Sequence, residues 1–462
     1  MKHLFTCKSL VAFLFTLLCS ATLMAADITG YRGDILYFTD NPAKVADAYK
    51  FYPGGVLYIE SGKVIAVGDY AQLKDTYKSA KIVDYTGRLI IPGFIDTHIH
   101  YPQTGIIAAY GKQLLDWLKN YVYPAEEQFS DPKFAAKESD FFLDLLVKNG
   151  TTTALVFGTE NPISINAFFE AALKRNMRMI AGKALMDTGG IPDDIADTPE
   201  QAYAECTELI KKWNDKYRFN YAVIPRFAPT STREELAVAG KLLKEHPTVY
   251  MHTHLAENKQ EVTLVKSLFP ERSSYYDVYD HYGLVTNRSI FAHSIYLSED
   301  NYADLGKKGA ALSFCPTSNL FLGSGLFNLN KANKYNINVS LGTDVGAGTS
   351  FSMLQTMNEA YKVTQLRKAY ADNPDDEPSL DAFQSLYLAT LGGARSLSLD
   401  KFIGSFEPGH EADFIVLNPQ TTPVLGNRIN HSNTLKEKLF AIEMLGDDRT
   451  VEHTYVMGKM LK

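Results

Sequence analysis

Hydrophobic and polar positions alternate near both ends of the chain. The alternation is clearest in GVLYIESGKVIAVG (55–68), KIVDYTGRLIIPG (81–93), IGSFEPGHEADFIVLN (403–418) and TVEHTYVMGKMLK (450–462). A period of two, interrupted by glycine and turn residues, is typical of β-strands. The two ends therefore predict one small β-sandwich domain, built from residues 27–92 and 401–462.

The middle of the chain, residues 93–400, follows a different pattern. Eight short apolar strand candidates are separated by helix-like stretches: GFIDTHIH, TTTALVFG, RMIAGKALMD, YAVIPRFAP, VYMHTHLAE, SIFAHSIY, AALSFCP and NVSLGTDV. Alternating strands and helices indicate parallel strands with crossover helices. Eight such units favour an α/β fold with a closed (β/α)8 TIM-like barrel. A doubly wound open sheet is the alternative.

The first 26 residues differ from both regions. MKHLFTCK carries two lysines, SLVAFLFTLLCS is an apolar run of secretory length, and ATLMAA offers small residues for cleavage near Ala25 or Ala26. The run is too short and wrongly flanked for a good membrane span. We therefore expect a signal peptide, a periplasmic or secreted mature protein, and no stable membrane insertion after cleavage. An uncleaved anchor is the alternative.

Composition and charge limit the function classes. The chain has 462 residues, of which 45% are hydrophobic, enough for a large core in more than one domain. Its net charge is −7 and it has no long basic run, so we expect no nucleic-acid partner. Only Cys206 and Cys315 lie outside the leader, and two cysteines do not make a disulfide framework for a chain of this size.

Polar residues with catalytic potential occur where the strand candidates end. They are His98 and His100 on the first strand, Arg226 on the fourth, His254 and Glu257 on the fifth, His293 on the sixth and Asp344 on the eighth. Each residue alone has an ordinary explanation, such as a core histidine or a helix cap. In a barrel, however, the carboxyl ends of the strands form the active site. Their shared position therefore favours one common site.

Three imidazoles and one carboxylate suit a zinc ion that keeps one position for water. Zinc lowers the pKa of that water to about 7, which gives hydroxide at neutral pH. His252 shares a strand face with His254, but His254 is nearer the catalytic end and Glu257. We therefore take His254 as the ligand and expect His252 to be buried and hydrogen-bonded. Glu257 is then free to carry protons and His293 to orient the water.

The same residues resemble the amidohydrolase superfamily, and longer segments resemble its guanine deaminase family. These segments are PGFIDTHIHYPQ, LLDWLKNYVYPAEEQF, NGTTTA, PRFAPT, THLAEN, CPTSNL, LGTDVGAGTSFSML, ATLGGA and LGDDRTVEHTYVMGK. The resemblance extends from about residue 54 to the C-terminus. LLDWLKNYVYPAEEQF and LGDDR discriminate best, because many deaminases share the metal-type residues.

The resemblance implies hydrolysis of guanine to xanthine and ammonia by a zinc-activated water. It implies one Zn²⁺ per chain, with Fe²⁺ as an alternative, held by His98, His100, His254 and Asp344. The implied substrate-binding residues are His100, Gln103, Arg226, Phe227, His254, Glu257 and Asp344. Glu257 would protonate a ring nitrogen, Asp344 would pass the proton of water to the departing amine, and His293 would steady the added oxygen. Members of the family are usually homodimers, so we expect a homodimer.

The fourth strand favours one metal ion over two. Two-metal members of the superfamily usually have a carboxylated lysine at that strand end, where this chain has Arg226. A guanidinium group stays charged and cannot ligate a cation. Lys183, on the third strand, is interpreted as structural. Arg226 is expected to bind the substrate; the alternative is that it pairs with a carboxylate and never meets the substrate.

Three functional hypotheses follow. The first is guanine deamination. The second is hydrolysis of another aminopurine, a pterin or a triazine on the same barrel. The third is an exported, non-catalytic purine-binding protein, which would need neither Glu257 nor Asp344. Two features depart from the guanine deaminase family, whose members are normally cytoplasmic: the leader, and TGIIAAYGKQ at 104–113, beside the expected pocket.

Overall fold

The computed structural model describes residues 28–111, 114–377 and 379–462. The predicted leader, residues 1–26, lies outside the described residues. Within them, no helix combines the length and the apolar character that crossing a bilayer requires. The chain forms a parallel barrel and a β domain made from both chain ends.

The predicted eight-stranded barrel is confirmed. We number its strands 1 to 8 in chain order: Phe94–His100, Thr151–Phe157, Arg178–Gly182, Phe219–Pro225, Tyr250–Leu255, Ser289–His293, Ala311–Phe314 and Asn338–Leu341. Each strand pairs in parallel with the next. The backbone N–H of Asp344 donates to the carbonyl of His98, and that of His100 to the carbonyl of Val345, both at 2.8 Å. These bonds join the end of strand 8 to strand 1.

Helices connect the strands and cover the barrel. The longer ones are Pro132–Lys148, Pro162–Arg175, Pro199–Trp213, Arg233–Glu245, Lys259–Leu268, Glu299–Lys308 and Met353–Ala369, and the shorter ones are Tyr275–His281, Pro316–Phe321, Leu329–Lys334, Ala382–Leu388 and Leu391–Ser396. Local sequence sets several starts, because capping boxes pair Thr198 with Gln201 and Asn258 with Glu261. An apolar cluster with residues from strands 1–7, closed by residues 394–403, fills the barrel interior.

The segment between strand 1 and its crossover helix is irregular. It contains short turns of helix at Tyr101–Ile106, Leu114–Trp117, Leu118–Val122, Tyr123–Glu127 and Gln128–Ser130. We call residues 101–130 the connecting segment. It follows the catalytic end of strand 1, so it lies beside the predicted site.

The β domain contains strands from both chain ends. Its strands are Thr29–Phe38, Tyr49–Glu60, Lys63–Gly68, Lys81–Pro92, Phe414–Leu417, Val451–Val456 and Lys459–Met460. Hydrogen bonds join all seven in one sheet, in which Lys81–Pro92 lies between Thr29–Phe38 and Phe414–Leu417. The far edge strand, Lys63–Gly68, nevertheless reaches the residues just before Phe414–Leu417: the N–H of Val64 donates to the carbonyl of His410, and that of Ala412 to the carbonyl of Gly62, both at 2.9 Å. The sheet therefore curls back on itself around its own apolar cluster.

The C-terminal segment also contacts the barrel. Its helices Pro423–Asn430 and Leu435–Leu445 pack together, and the second packs against the barrel helices Met353–Ala369 and Ala382–Leu388. The buried Ser385 donates a hydrogen bond to Glu443 at 2.6 Å across this contact. The barrel and the C-terminal segment therefore share part of one core.

Candidate active site

Four donor side chains converge at the carboxyl ends of strands 1, 5 and 8. One donor atom each from His98, His100, His254 and Asp344 lies within 4.8 Å of all the others. Nε2 of His98 is 3.1 Å from Oδ1 of Asp344, and Nε2 of His100 is 3.2 Å from Nε2 of His254. His98 and His100 point the same way because they are two residues apart on an extended strand. The structure thus brings the predicted ligand set together.

Hydrogen bonds behind the imidazoles decide which nitrogen faces the cluster. Nδ1 of His254 donates to the backbone carbonyl of Arg226 at 2.7 Å, which leaves the lone pair on Nε2. Nδ1 of His252 donates to the carbonyl of Ile290 at 2.8 Å, so its Nε2 accepts from Nδ1 of His98, also at 2.8 Å. The lone pair of His98 is therefore on Nε2 as well. His252 is buried and hydrogen-bonded as predicted, and it also fixes the tautomer of a ligand.

The donor set fits a divalent cation. Nε2 of His98 is buried and has no hydrogen-bond partner among the described residues, although it faces a carboxylate oxygen. A lone pair aimed at a carboxylate is repulsive unless a cation lies between them. Burial lowers the pKa of His98 and His254, and lowers the pKa of His100 to about 3. All three imidazoles are therefore neutral, which is the ligand form, and zinc favours such nitrogen and oxygen donors.

A second group of donors does not form an equivalent site. His293 and Cys315 also lie near Asp344. The Cys315 thiol donates to the carbonyl of Ser313, and burial raises its pKa well above the usual value. A protonated thiol is a poor ligand.

At the end of strand 3, Lys183 is buried in ion pairs with Asp197 and Glu205, so its interpretation as structural agrees with the geometry.

Glu257 and His293 face Asp344 from the ends of strands 5 and 6. Nε2 of His293 is 3.7 Å from a carboxylate oxygen of each. Burial raises the pKa of Glu257, whose Oε1 accepts a hydrogen bond from Ser324 at 2.7 Å. Burial lowers the pKa of His293, but the charges of Glu257 and Asp344 more than offset this and raise it. This arrangement suits proton transfer, because both groups can exist in either protonation state.

Backbone conformation helps to aim two of these side chains. His293 has φ of 64° and Asp344 has φ of 52°, in the left-handed region that non-glycine residues seldom occupy. Such strain persists where the surrounding structure enforces it, and it clusters at functional sites. Here it turns both side chains inward at the point where their strands end.

A cavity lies over the donor cluster. Its lining residues are His100, Gln103, Leu114, Trp117, Leu118, Arg226, Phe227, His254, Glu257, His293, Leu322, Asp344 and Ala347. Every substrate-binding residue predicted from the sequence is among them. Of the segment 104–113, the structure describes residues 104–111, and none of these lines the cavity.

Arg226 lines the cavity and also pairs with a carboxylate. Its Nη1 donates to both oxygens of Glu126, at 2.8 and 3.0 Å, and both side chains are buried. The carboxylate pair of the alternative interpretation is therefore present, and Arg226 also lines the cavity, where the first interpretation expects the substrate. The sequence interpretation missed Glu126 and the apolar wall residues Trp117 and Leu118. The signal was present, because all three belong to the discriminating segment LLDWLKNYVYPAEEQF.

Comparison with known proteins agrees with this geometry. The chain belongs to the amidohydrolase family, whose model matches residues 89–461. Guanine deaminase of Escherichia coli (strain K12) is 49% identical over 432 residues, which cover 93% of this chain and 95% of that protein.

Two solved structures are also similar. That of E. coli guanine deaminase has a TM-score of 0.90 and 47% identity, covering 94% of this chain and 99% of that chain. The guanine deaminase from C. acetobutylicum, with bound guanine in the active site, has a TM-score of 0.86 and 30% identity, covering 94% and 100%.

Proposed function

We propose that this enzyme hydrolyses guanine to xanthine and ammonia. The observation that carries the proposal is one cavity that lies over the four metal-type donors and is lined by the acid–base candidates Glu257 and His293 and by the polar residues Gln103 and Arg226. Similarity to guanine deaminases over more than nine-tenths of the chain supports the same substrate. A non-catalytic purine-binding protein would not need the acid–base pair.

The cation is proposed to be zinc, one ion per chain, with iron as the alternative. Bound by His98, His100, His254 and Asp344, it supplies a Lewis acid that makes water acidic enough to ionise near neutral pH. Glu257 donates a proton to a ring nitrogen as water adds at C2. Asp344 accepts one proton of the water and passes it to the amine, which leaves as ammonia. As the C2 carbonyl forms, the proton of the remaining hydroxyl returns to Glu257. His293 donates a hydrogen bond to the added oxygen.

The polar wall explains the choice of base. Guanine has two neighbouring acceptors, O6 and N7, where adenine has an amine beside N7. Arg226 has only donors, so it can bond O6 but not the hydrogens of an amine. Gln103 donates and accepts, which suits an edge with both kinds of group. Sites that recognise a substrate by hydrogen bonds can discriminate against a mismatched one by a factor of about 10⁴–10⁵ in kcat/KM.

The test measures ammonia release from guanine and from adenine by the purified protein. We expect turnover of guanine with adenine essentially inert. Arg226→Met should lose most activity on guanine and keep its metal, while Arg449→Met, which alters an exposed arginine far along the chain, should behave as the wild type. Comparable turnover of the two bases, or full activity in Arg226→Met, would contradict the proposal. Release of ammonia only from a pterin or a triazine would favour the second hypothesis.

We also propose export and dimerisation. The leader is expected to be cleaved near Ala25 or Ala26, giving a periplasmic or secreted enzyme, and N-terminal sequencing of protein from the native host checks this. An intact Met1 in the cytosolic fraction would contradict it. A homodimer should appear in sedimentation equilibrium at twice the mass of the mature chain.

A further inference from the structure

Glu126 is a buried carboxylate that contacts two residues of the substrate-facing wall. It lies in the short helix Tyr123–Glu127 of the connecting segment and has no exposed surface. Besides its two hydrogen bonds from Nη1 of Arg226, its Oε1 accepts one from Nε2 of Gln103 at 3.3 Å. One carboxylate therefore joins the two side chains to which the proposed function gives the recognition of the base.

The contacts with Arg226 decide which donors remain for a substrate. A guanidinium group has five N–H bonds, and the partners of Nη1 are the carboxylate of Glu126 and the sulfur of Met186, the latter at 3.8 Å. Among the described residues, none accepts a hydrogen bond from Nε or Nη2, and Arg226 lines the cavity. The edge of the guanidinium group that carries Nε and Nη2 therefore remains for a substrate. It matches two adjacent acceptors, such as O6 and N7 of guanine.

The same carboxylate fixes the amide of Gln103. Amide oxygen and nitrogen can exchange places, but a carboxylate only accepts and a backbone N–H only donates. Nε2 therefore faces Glu126, and Oε1 accepts from the N–H of Gly346 at 3.2 Å. Glycine permits this approach, because a Cβ at position 346 would lie 2.7 Å from the carbonyl oxygen of Gln103. One N–H and one lone pair of Gln103 remain for a ligand.

Glu126 also balances the charge of the wall. Burial lowers the pKa of Arg226, and the charge of Glu126 more than reverses this, so that the pKa is raised. A buried charge without a partner is costly and would attract anions. Paired with Glu126, the wall offers donors without net charge. Such a wall suits a neutral base better than an anionic one.

We propose that Glu126 is a positioning residue for base recognition, which aligns Arg226 and Gln103 and keeps their wall neutral. The wall then holds neutral guanine in preference to the anion of xanthine, the more acidic product. This inference rests on the proposed function and deepens it. It also gives a physical role to the segment LLDWLKNYVYPAEEQF, which the sequence singled out without a function.

Glu126→Gln tests the proposal, and Glu127→Gln is its matched control. The control makes the same change at the next residue, which is exposed. We expect the KM for guanine to rise about 10- to 100-fold in Glu126→Gln, as for the loss of a charged hydrogen bond, with a smaller change in kcat. In Glu126→Gln, the inhibition constant of xanthine divided by the KM for guanine should fall as pH rises, because xanthine ionises. Glu126→Asp, which keeps the charge, should remove this pH-dependent inhibition.

A double-mutant cycle covers the case in which Glu126→Gln folds poorly. Arg226→Met with Glu126→Gln removes both charges, which proteins tolerate better than one. If Glu126 acts through Arg226, the double variant should be no less active on guanine than Arg226→Met alone. An unchanged KM in Glu126→Gln, or fully additive losses in the cycle, would overturn the inference. A wild type that releases no ammonia from guanine would instead refute the proposed function.

Discussion

The two ends of the barrel both bury charged residues, but they treat them differently. At the amino ends of strands 3 and 4, Arg178 and Arg218 meet Glu411 and Asp413 from the β domain. Glu411 receives hydrogen bonds from Arg178 at 2.6 Å and from Arg218 at 2.6 Å. Within the described part of the chain, none of these four side chains has a buried polar atom without a partner.

The carboxyl ends of the strands, in contrast, bury polar atoms that have no partner in the part of the chain that the structure describes. Nε2 of His98 and Nε2 of His293 are buried and lack hydrogen-bond partners among the described residues. His293 and Asp344 also adopt strained backbone conformations. A fully paired network stabilises the junction of two domains, whereas unpaired polar atoms and backbone strain are retained where a ligand completes the site. The amino-terminal end is therefore built for stability and the carboxyl-terminal end for binding and reaction.

The largest effect should come from removing a ligand at the carboxyl-terminal end. His254→Ala should lose both bound metal and ammonia release, and chelation of the wild type should abolish activity in the same way. Elemental analysis of the wild type should find close to one zinc or iron per chain. His281→Ala, which changes an exposed histidine, serves as the control. Two tightly bound metals per chain would contradict the prediction, made from Arg226, that the site binds one metal ion.

The next effect separates proton transfer from metal binding. Glu257→Gln keeps the size of the side chain and its contact with Ser324, but it cannot carry a proton. General acid–base groups contribute about 10²–10⁴ in rate, so we expect a loss of kcat of that order with metal content intact. Steady-state kinetics and elemental analysis on the same sample measure both. A near-normal kcat would remove Glu257 from the mechanism.

The carboxyl-terminal end was largely predictable from the sequence, and the reason is topological. Parallel strands bring their carboxyl ends to one edge, so polar residues that follow buried strands must meet there. His98, His254, His293 and Asp344 each stand at such a position. The strand candidates were visible because the strands are almost wholly buried and therefore apolar.

Long-range partners were not predictable in the same way. Glu126 and Arg226 are 100 residues apart, and their contact depends on the irregular path of the connecting segment. The contact between His98 and His252 spans 154 residues and depends on the barrel curving until strands 1 and 5 face each other. Arg218 and Glu411 are likewise 193 residues apart, and they meet only where the β domain packs on the barrel. Periodicity describes elements, and these pairs belong to the packing between elements.

At the amino-terminal end, breaking the ion network should lower stability without altering the chemistry. Arg218→Met leaves Glu411 and Asp413 with fewer partners in a buried junction. Removing one partner of a buried pair costs about 3–5 kcal/mol, which urea unfolding would measure. Arg449→Met removes an exposed pair and should leave the free energy of unfolding almost unchanged. A loss of kcat in folded Arg218→Met would contradict the division between the two ends.

The smallest predicted effect is a pH dependence of the free energy of unfolding, which arises from Glu411 at the same junction. Burial raises the pKa of Glu411, but hydrogen bonds from Arg178 and the charge of Arg218 more than reverse this and bring the pKa to about 2, from 4.5. Lys63, at 3.7 Å, adds to the positive surroundings, and Asp413 opposes them. A carboxyl with a lowered pKa in the folded state stabilises the fold above its unfolded pKa. That stabilisation is lost as pH falls through the folded pKa.

Glu411 should therefore contribute about 3 kcal/mol to the free energy of unfolding above pH 5, and this contribution should fade between about pH 4.5 and 2. Glu411→Gln cannot titrate, so the difference in unfolding free energy between wild type and variant should shrink over that window, while other carboxyl groups cancel. Urea unfolding of both proteins at several pH values measures the difference. If the two stability curves run parallel from pH 7 to 2, Glu411 does not hold the junction by its charge.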